Sequence, residues 1–145
     1  MSRRDGLHLA LRQTLEKDGW TITDDALILV LEKSLMKADL GAEKTFAAEK
    51  EGRKIAIEVK DFTASSAISE LEKTMGQLQL YRWALEAQEP ERQLFLAISH
   101  RAYLKYFQKP LFRLAVQRIQ INLLVYDPTE EVILQWLTHN DMQRW

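Results

Sequence analysis

Cysteine is absent from the 145-residue chain, which excludes disulfides and thiolate metal sites and gives no sign of an oxidising compartment. Glycine is scarce. None of the five falls in G-x-S-x-G or G-x-x-x-x-G-K order, so neither a nucleophile elbow nor a phosphate-cradling loop is encoded. Long hydrophobic runs are missing too: the longest, Ala26 to Leu31, is far too short to cross a bilayer. The first residues, Met1 to Gly6, carry two arginines with no apolar run behind them, unlike a secretory leader. The expectation is a soluble, cytoplasmic protein with no membrane partner. An excess of positive charge is also lacking, with net charge −1 and pI near 6.3. That argues against an unaided grip on DNA, although net charge ignores distribution and a partner can supply the basic surface. The histidines His8, His100 and His139 are too scattered to form a metal site by spacing.

What is present is an ordinary globular mix, 46% apolar and 28% charged. It suits one domain over residues 1–145 with a real core. Leu7, Leu11 and Leu15 make an amphipathic first helix ended by Gly19. Trp20 to Thr23 alternates as a strand, and Asp24-Asp25 marks a turn before Ala26 to Leu31. Glu32 to Lys37 reads equally as a strand continuation or a loop. Ala67 to Gln88 is a long helix with Ile68, Leu71, Met75, Leu78 and Leu85 at helical spacing, capped from Thr63–Ser66 and stopped by Pro90. Gln93 to Ser99 is a strand. Tyr103 to Arg118 is a second long helix that Pro110 can break, and its aromatics Tyr103, Tyr106, Phe107 and Phe112 suit core and interface rather than a base-stacking platform. Ile121 to Tyr126 and Val132 to Leu137 make a last strand pair. This order predicts an α/β (α+β) fold with a mixed central sheet flanked by helices. Trp136 and Trp145 are expected to be exposed on a partner surface.

The chemistry gathers between Ala38 and Phe62. Taking Glu51-Gly52 as a two-residue turn folds this stretch into a hairpin in which Thr45 faces Glu58 and Glu43 faces Lys60. Lys54 to Lys60 is the clearest strand, with Ile55, Ile57 and Val59 on one face and Ala56, Glu58 and Lys60 on the other. Glu58-Val59-Lys60 is an E-x-K triplet. Its carboxylate can bind a hard cation, and its ammonium can orient a water or steady charge developing on a phosphate. The plain alternative is a salt-bridged solvent face. The second acid is Asp39 or Glu43. Register favours Glu43, whose plain reading is an ion pair with Lys60, whereas Asp39 needs a kink at Gly41. On the following helix, Lys73, Gln77 and Tyr81 share a stripe. Gly76 would let that helix approach the sheet, and Gln77 can orient a water or touch a phosphate. The plain alternative is an exposed polar edge.

An acid on one strand, E-x-K on the next and Gln-x-x-x-Tyr on the helix after it resemble the PD-(D/E)XK nuclease superfamily. More closely, DGWTIT (Asp18 to Thr23), ADLGAEKTFAAEKEGRKIAIEVKDF, SAISELEKTMGQLQLYRWALE, QEPER and LLVYDPTEEVILQWL resemble the XisH family, the fdxN-element excision controlling factors of cyanobacteria. The resemblance implies a restriction-endonuclease-like fold and a role in DNA element excision beside a partner protein, XisI, and a separate recombinase. Carried over residue by residue, Asp39 or Glu43 with Glu58 would hold Mg²⁺, Lys60 would position the water and Gln77 would support it. One reading is a Mg²⁺-dependent DNA endonuclease, acting directly or through a complex. A second is a non-catalytic subunit that binds XisI, and a third is a homodimer with no nucleic-acid role.

Overall fold

The computed structural model describes residues 3–44, 52–62 and 65–139. Helix α1 (Arg3–Lys17) is followed by strands β1 (Thr21–Asp24), β2 (Leu27–Leu31), β3 (Ser34–Ala38), β4 (Leu40–Lys44) and β5 (Arg53–Val59). Then come α2 (Ala67–Gln88), β6 (Arg92–Ser99), α3 (His100–Lys105), α4 (Pro110–Ile119), β7 (Asn122–Asp127) and β8 (Val132–Leu137). Six strands form one mixed sheet in the order β1-β4-β5-β6-β7-β8. Its centre, β5-β6-β7, is parallel, and antiparallel strands complete both edges.

Alternation along β5 divides the core as the sequence predicts. Ile55, Ile57 and Val59 join Leu11 and Leu15 of α1, Phe95, Leu124 and Tyr126 on one face. Ala56 joins Leu71, Leu78 and Leu85 of α2, Leu96, Ile98, Phe107 and Phe112 on the other. The sheet is therefore covered on both sides by helices, the expected mixed α/β arrangement.

Three local features settle or depart from the sequence reading, the break at Pro110 being one that it allows. The span Glu32 to Lys37 holds a tight turn and a strand. Leu31 pairs with Ser34, and Glu32 and Lys33 turn the chain at φ 48° and 65°. Asn-Gly usually marks such a left-handed two-residue turn, so a Glu-Lys pair gives no signal for it. The resulting β2–β3 ribbon is a separate two-stranded sheet laid on α2. Next, the segment Tyr103 to Arg118 is two helices. Ser99 caps α3 by accepting from the Ala102 N–H at 3.1 Å, and Pro110 opens α4 after an extended Lys109. Finally, Trp136 is half-buried: its ring lies 5.5 Å from Trp20 and 5.1 Å from Phe95. Trp145 lies outside the described residues.

Gly76 does not bring α2 close to the sheet. It faces solvent, and a Cβ there would meet nothing within 4 Å. The close approach is at Gly41, where a Cβ would lie 3.0 Å from Asp24 Oδ2 and 3.2 Å from Arg92 Nη1. Arg92 reaches over the sheet there, donating to the Ile55 carbonyl at 2.9 Å and pairing with Glu89 at 2.8 Å. Among the described residues, no helix is long and apolar enough to cross a membrane.

Candidate functional site

The register of β4 on β5 fixes where Glu43 falls relative to the E-x-K triplet. Leu40 pairs with Ile57, Ala42 with Ile55, Glu43 with Lys54 and Lys44 with Arg53. The two-residue turn at Glu51-Gly52 is therefore wrong. Residues 45–52 connect the strands, which sets Glu43 opposite Lys54 rather than Lys60. Glu51 and Thr45 lie outside the described residues, and so does the Glu43 side chain. Its assignment as a ligand therefore has no side-chain geometry behind it. Asp39 needs no kink, because Gly41 pairs in regular register with Ala56.

Asp39 sits at the joint between two sheets, after β3 of the ribbon and before β4 of the main sheet. Beyond the Leu40–Ile57 pair the ladder between these strands stops. The Val59 N–H, past that point, donates instead to Asp39 Oδ2 at 2.8 Å. A side-chain carboxylate takes the place of a backbone carbonyl, which holds Asp39 against β5 at Val59.

Glu58 is 2% exposed, on the α2 face of the sheet. Its Oε2 lies 3.6 Å from Lys60 Nζ, and the Lys60 side chain is 17% exposed. Burying such a pair costs several kcal/mol of desolvation, so a buried ion pair is weak evidence for stability. It is a poor stability device and a reasonable place for chemistry. Phe62, just past the triplet, is fully buried at φ 53°, a left-handed conformation that costs a residue with a Cβ. The rings of Phe107 and Phe112, at 5.1 and 6.0 Å, hold it there. This bend takes the chain off the end of β5 towards α2.

Helix α2 adds polar groups from the stripe predicted for it. Ser66 caps the helix, its Oγ accepting from the Ser69 N–H at 3.3 Å. Tyr81 is buried, and its hydroxyl donates to the Lys37 carbonyl at 2.9 Å. That hydroxyl can therefore accept from the Gln77 amide at 3.5 Å, a long contact that orients the amide nitrogen towards Tyr81. Gln77 Oε1 is left buried with no hydrogen-bond partner among the described residues. Tyr81 thus serves structure: it ties α2 to the strand that leads into Asp39, a role Gln-x-x-x-Tyr spacing alone does not reveal. Gln88 makes a second tie, exchanging hydrogen bonds with the backbone of Ile28 and Val30 at 3.1 Å each.

A cavity of about 330 Å³ opens beside Lys60, lined by Ser65, Ser66, Ser69, Glu70, Lys73 and Thr74. Gln77 does not line it. Of the five predicted site residues, Glu58 and Lys60 are in contact at the end of β5, and the Asp39 carboxylate is bonded to the backbone N–H of Val59 between them. Gln77 lies along α2 from the cavity, and Glu43 pairs further back on the sheet. Among the described residues, no three His, Cys, Asp or Glu side chains cluster to hold a metal. Two carboxylates still suit Mg²⁺, which keeps several waters and takes one or two protein oxygens.

The model of the XisH protein family matches residues 1–134. The chain belongs to the XisH family. It resembles the crystal structure of an XisH family protein from Nostoc punctiforme, with 40% identity and a TM-score of 0.84 over 92% of this chain and 100% of that one. It resembles equally a fdxN element excision controlling factor protein from Anabaena variabilis, with 40% identity and a TM-score of 0.83 over 93% of this chain and 100% of that one. No curated protein matches this XisH-family chain.

Proposed function

We propose that this XisH-family protein is an excision controlling factor of an fdxN-type DNA element, as its relative from Anabaena variabilis is described. We further propose that it acts as a Mg²⁺-dependent DNA phosphodiesterase with a PD-(D/E)XK, restriction-endonuclease-like fold. One observation supports this reading: Glu58 is buried in contact with Lys60, and the Asp39 carboxylate is bonded to the Val59 N–H between them in the chain.

Asp39 and Glu58 would hold Mg²⁺, which when bound polarises a phosphate and lowers the pKa of a coordinated water. The Lys60 ammonium, fixed beside Glu58, steadies the charge that develops on the phosphate oxygens. Gln77, with a buried acceptor oxygen, supports the attacking water. Burial of Glu58 excludes bulk water and strengthens each of these charge interactions. Purified protein incubated with supercoiled plasmid and Mg²⁺ or Mn²⁺ should nick it, and Glu58→Ala should lose that activity by at least about a hundredfold. Wild type that never nicks DNA, with or without its partner protein, removes the catalytic reading.

A second reading is a regulatory subunit that binds an XisI-type protein. The outer face of the β2–β3 ribbon favours it, since Ile28, Val30 and Leu35 are exposed there and Leu35 is 74% exposed. Co-purification with the XisI-type partner should fall away in Leu35→Glu, while nicking by the isolated chain is unaffected.

A further inference from the structure

Charge is unevenly distributed along this chain. From Arg92 to Tyr126 it carries six cations, Arg92, Arg101, Lys105, Lys109, Arg113 and Arg118, and no aspartate or glutamate, so all 21 acids lie elsewhere. Helices α3 and α4 fall wholly inside this acid-free stretch. Arg101, at the start of α3, pairs with Asp61 at 3.7 Å. Lys105, Lys109 and Arg118, all exposed, form no ion pair among the described residues.

These free cations border an apolar groove. A cavity of about 390 Å³ opens between the start of α2 and the start of α4, walled by Ile68, Tyr106, Lys109, Leu111 and Phe112. Among the described residues, no acid lines it. Its base is firm, since Tyr106 stacks on Phe112 at 6.0 Å and both rings are buried. Its walls stand open, with Ile68 53% and Leu111 48% exposed. Leu114, one turn beyond Leu111 and also half-exposed, extends the apolar surface along α4 towards Arg118. The Lys105 and Lys109 ammoniums lie 5.4 and 5.5 Å from the Tyr106 ring, so both charges stand at the edge of the groove. An apolar centre with a polar rim is the anatomy of a protein interface.

We propose that this groove docks an acidic amphipathic segment of a partner protein. One apolar side chain enters between Ile68 and Leu111, and carboxylates beside it pair with Lys105, Lys109 and Arg118. Charge complementarity selects this partner, because the cations here have no acid of their own chain to meet. Nucleic acid would use the cations and leave the leucines uncovered, since phosphate is contacted by polar groups. A bilayer is gripped by apolar side chains that reach into the acyl boundary, whereas Ile68 and Leu111 wall a recess. Asp39, Glu58, Lys60 and the β2–β3 ribbon contribute nothing to the groove, so docking here is independent of DNA cleavage and of the ribbon as a partner surface.

A library of random amphipathic helical peptides is panned against the full chain, and the enriched peptides are labelled for anisotropy. They should carry a clear excess of Asp and Glu and bind more weakly as salt rises. Lys109→Glu and Leu111→Ser, both at exposed positions, should each weaken them at least about tenfold, whereas Leu35→Glu on the ribbon should leave binding unchanged. Replacing the acids of a peptide by lysine should abolish binding to wild type and restore it to the Lys105→Glu, Lys109→Glu double variant, an exchange that a folding defect cannot mimic. A library that yields no binder, enriched peptides without excess acid, or peptides indifferent to Lys109→Glu and Leu111→Ser overturn the docking site. Vesicles of phosphatidylserine with phosphatidylcholine and a DNA duplex are titrated alongside. If either binds and is lost in Lys109→Glu and Leu111→Ser while the peptides are unaffected, the acidic-protein assignment is overturned. It is overturned equally if wild type dimerises by sedimentation and these two variants are monomeric, since the occupant is then a second copy.

Discussion

At the scale of single residues, Glu58 and Tyr126 are both buried polar groups, and they predict opposite outcomes when altered. Glu58 lies beside Lys60 with its charge matched, so Glu58→Gln should cost nicking activity and also stability, because it leaves the largely buried Lys60 ammonium without this counter-charge. A folded variant by circular dichroism, with a lower thermal midpoint and nicking lost, is the expected set of results. Tyr126 is fully buried in the α1 face of the core, and its hydroxyl has no hydrogen-bond partner among the described residues. Tyr126→Phe should therefore be neutral or stabilising, by up to about 1 kcal/mol, because it removes a polar atom whose burial has a cost. Desolvation, with the nearby Asp61 charge second, also pushes the Tyr126 hydroxyl well above the ordinary tyrosine value. The folded protein then holds a proton that the unfolded chain releases near pH 10, so stability falls as pH rises past that point. Denaturant midpoints between pH 8 and 11 should show this decline in wild type and a shallower one in Tyr126→Phe.

At the scale of elements, the candidate site depends on how β4 and α2 are fastened. Tyr81 ties α2 to the Lys37 carbonyl, just ahead of Asp39. Tyr81→Phe should weaken that tie by about 1 kcal/mol of stability. It should also raise the Mg²⁺ concentration needed for activity more than does Leu78→Val, a core change on the same helix that touches no polar group. Metal titration of the two variants separates positioning from packing. Gly41 is a tighter constraint. A Cβ there meets Asp24 and the Arg92 guanidinium, and a branched side chain must displace both. Gly41→Val should cost roughly 1–3 kcal/mol by overpacking, read as a lower denaturant midpoint. Phe62, left-handed and locked among Phe107, Phe112 and Tyr106, marks the bend from β5 to α2. Its role was invisible beforehand, since a left-handed phenylalanine has no sequence signal.

At the scale of the whole molecule, the periods of the sequence and the contacts of the fold answered different questions. Alternation in Lys54 to Lys60 assigned the faces of β5 correctly, because side chains on a strand must alternate whatever the neighbouring strand does. The helical spacing of Leu7, Leu11 and Leu15 and the span Ala67 to Gln88 were equally legible, since one buried stripe is enough to specify an amphipathic helix. The blocks that resemble the XisH family were readable for the same reason: they are local strings. Register was not local. Keeping the same faces, β4 could slide along β5, and an assumed two-residue turn chose the wrong pairing. The structure sets Glu43 opposite Lys54 and ties Asp39 to the Val59 N–H, because the chain changes sheets at Asp39 and a backbone N–H there takes a carboxylate. The sequence by itself determined the elements, their buried faces and the E-x-K strand, all consequences of side-chain period. Tertiary structure alone decided the register that sets Glu43 opposite Lys54, the bond from Val59 to Asp39 and the cavity beside Lys60, because all depend on contacts between segments far apart in the chain.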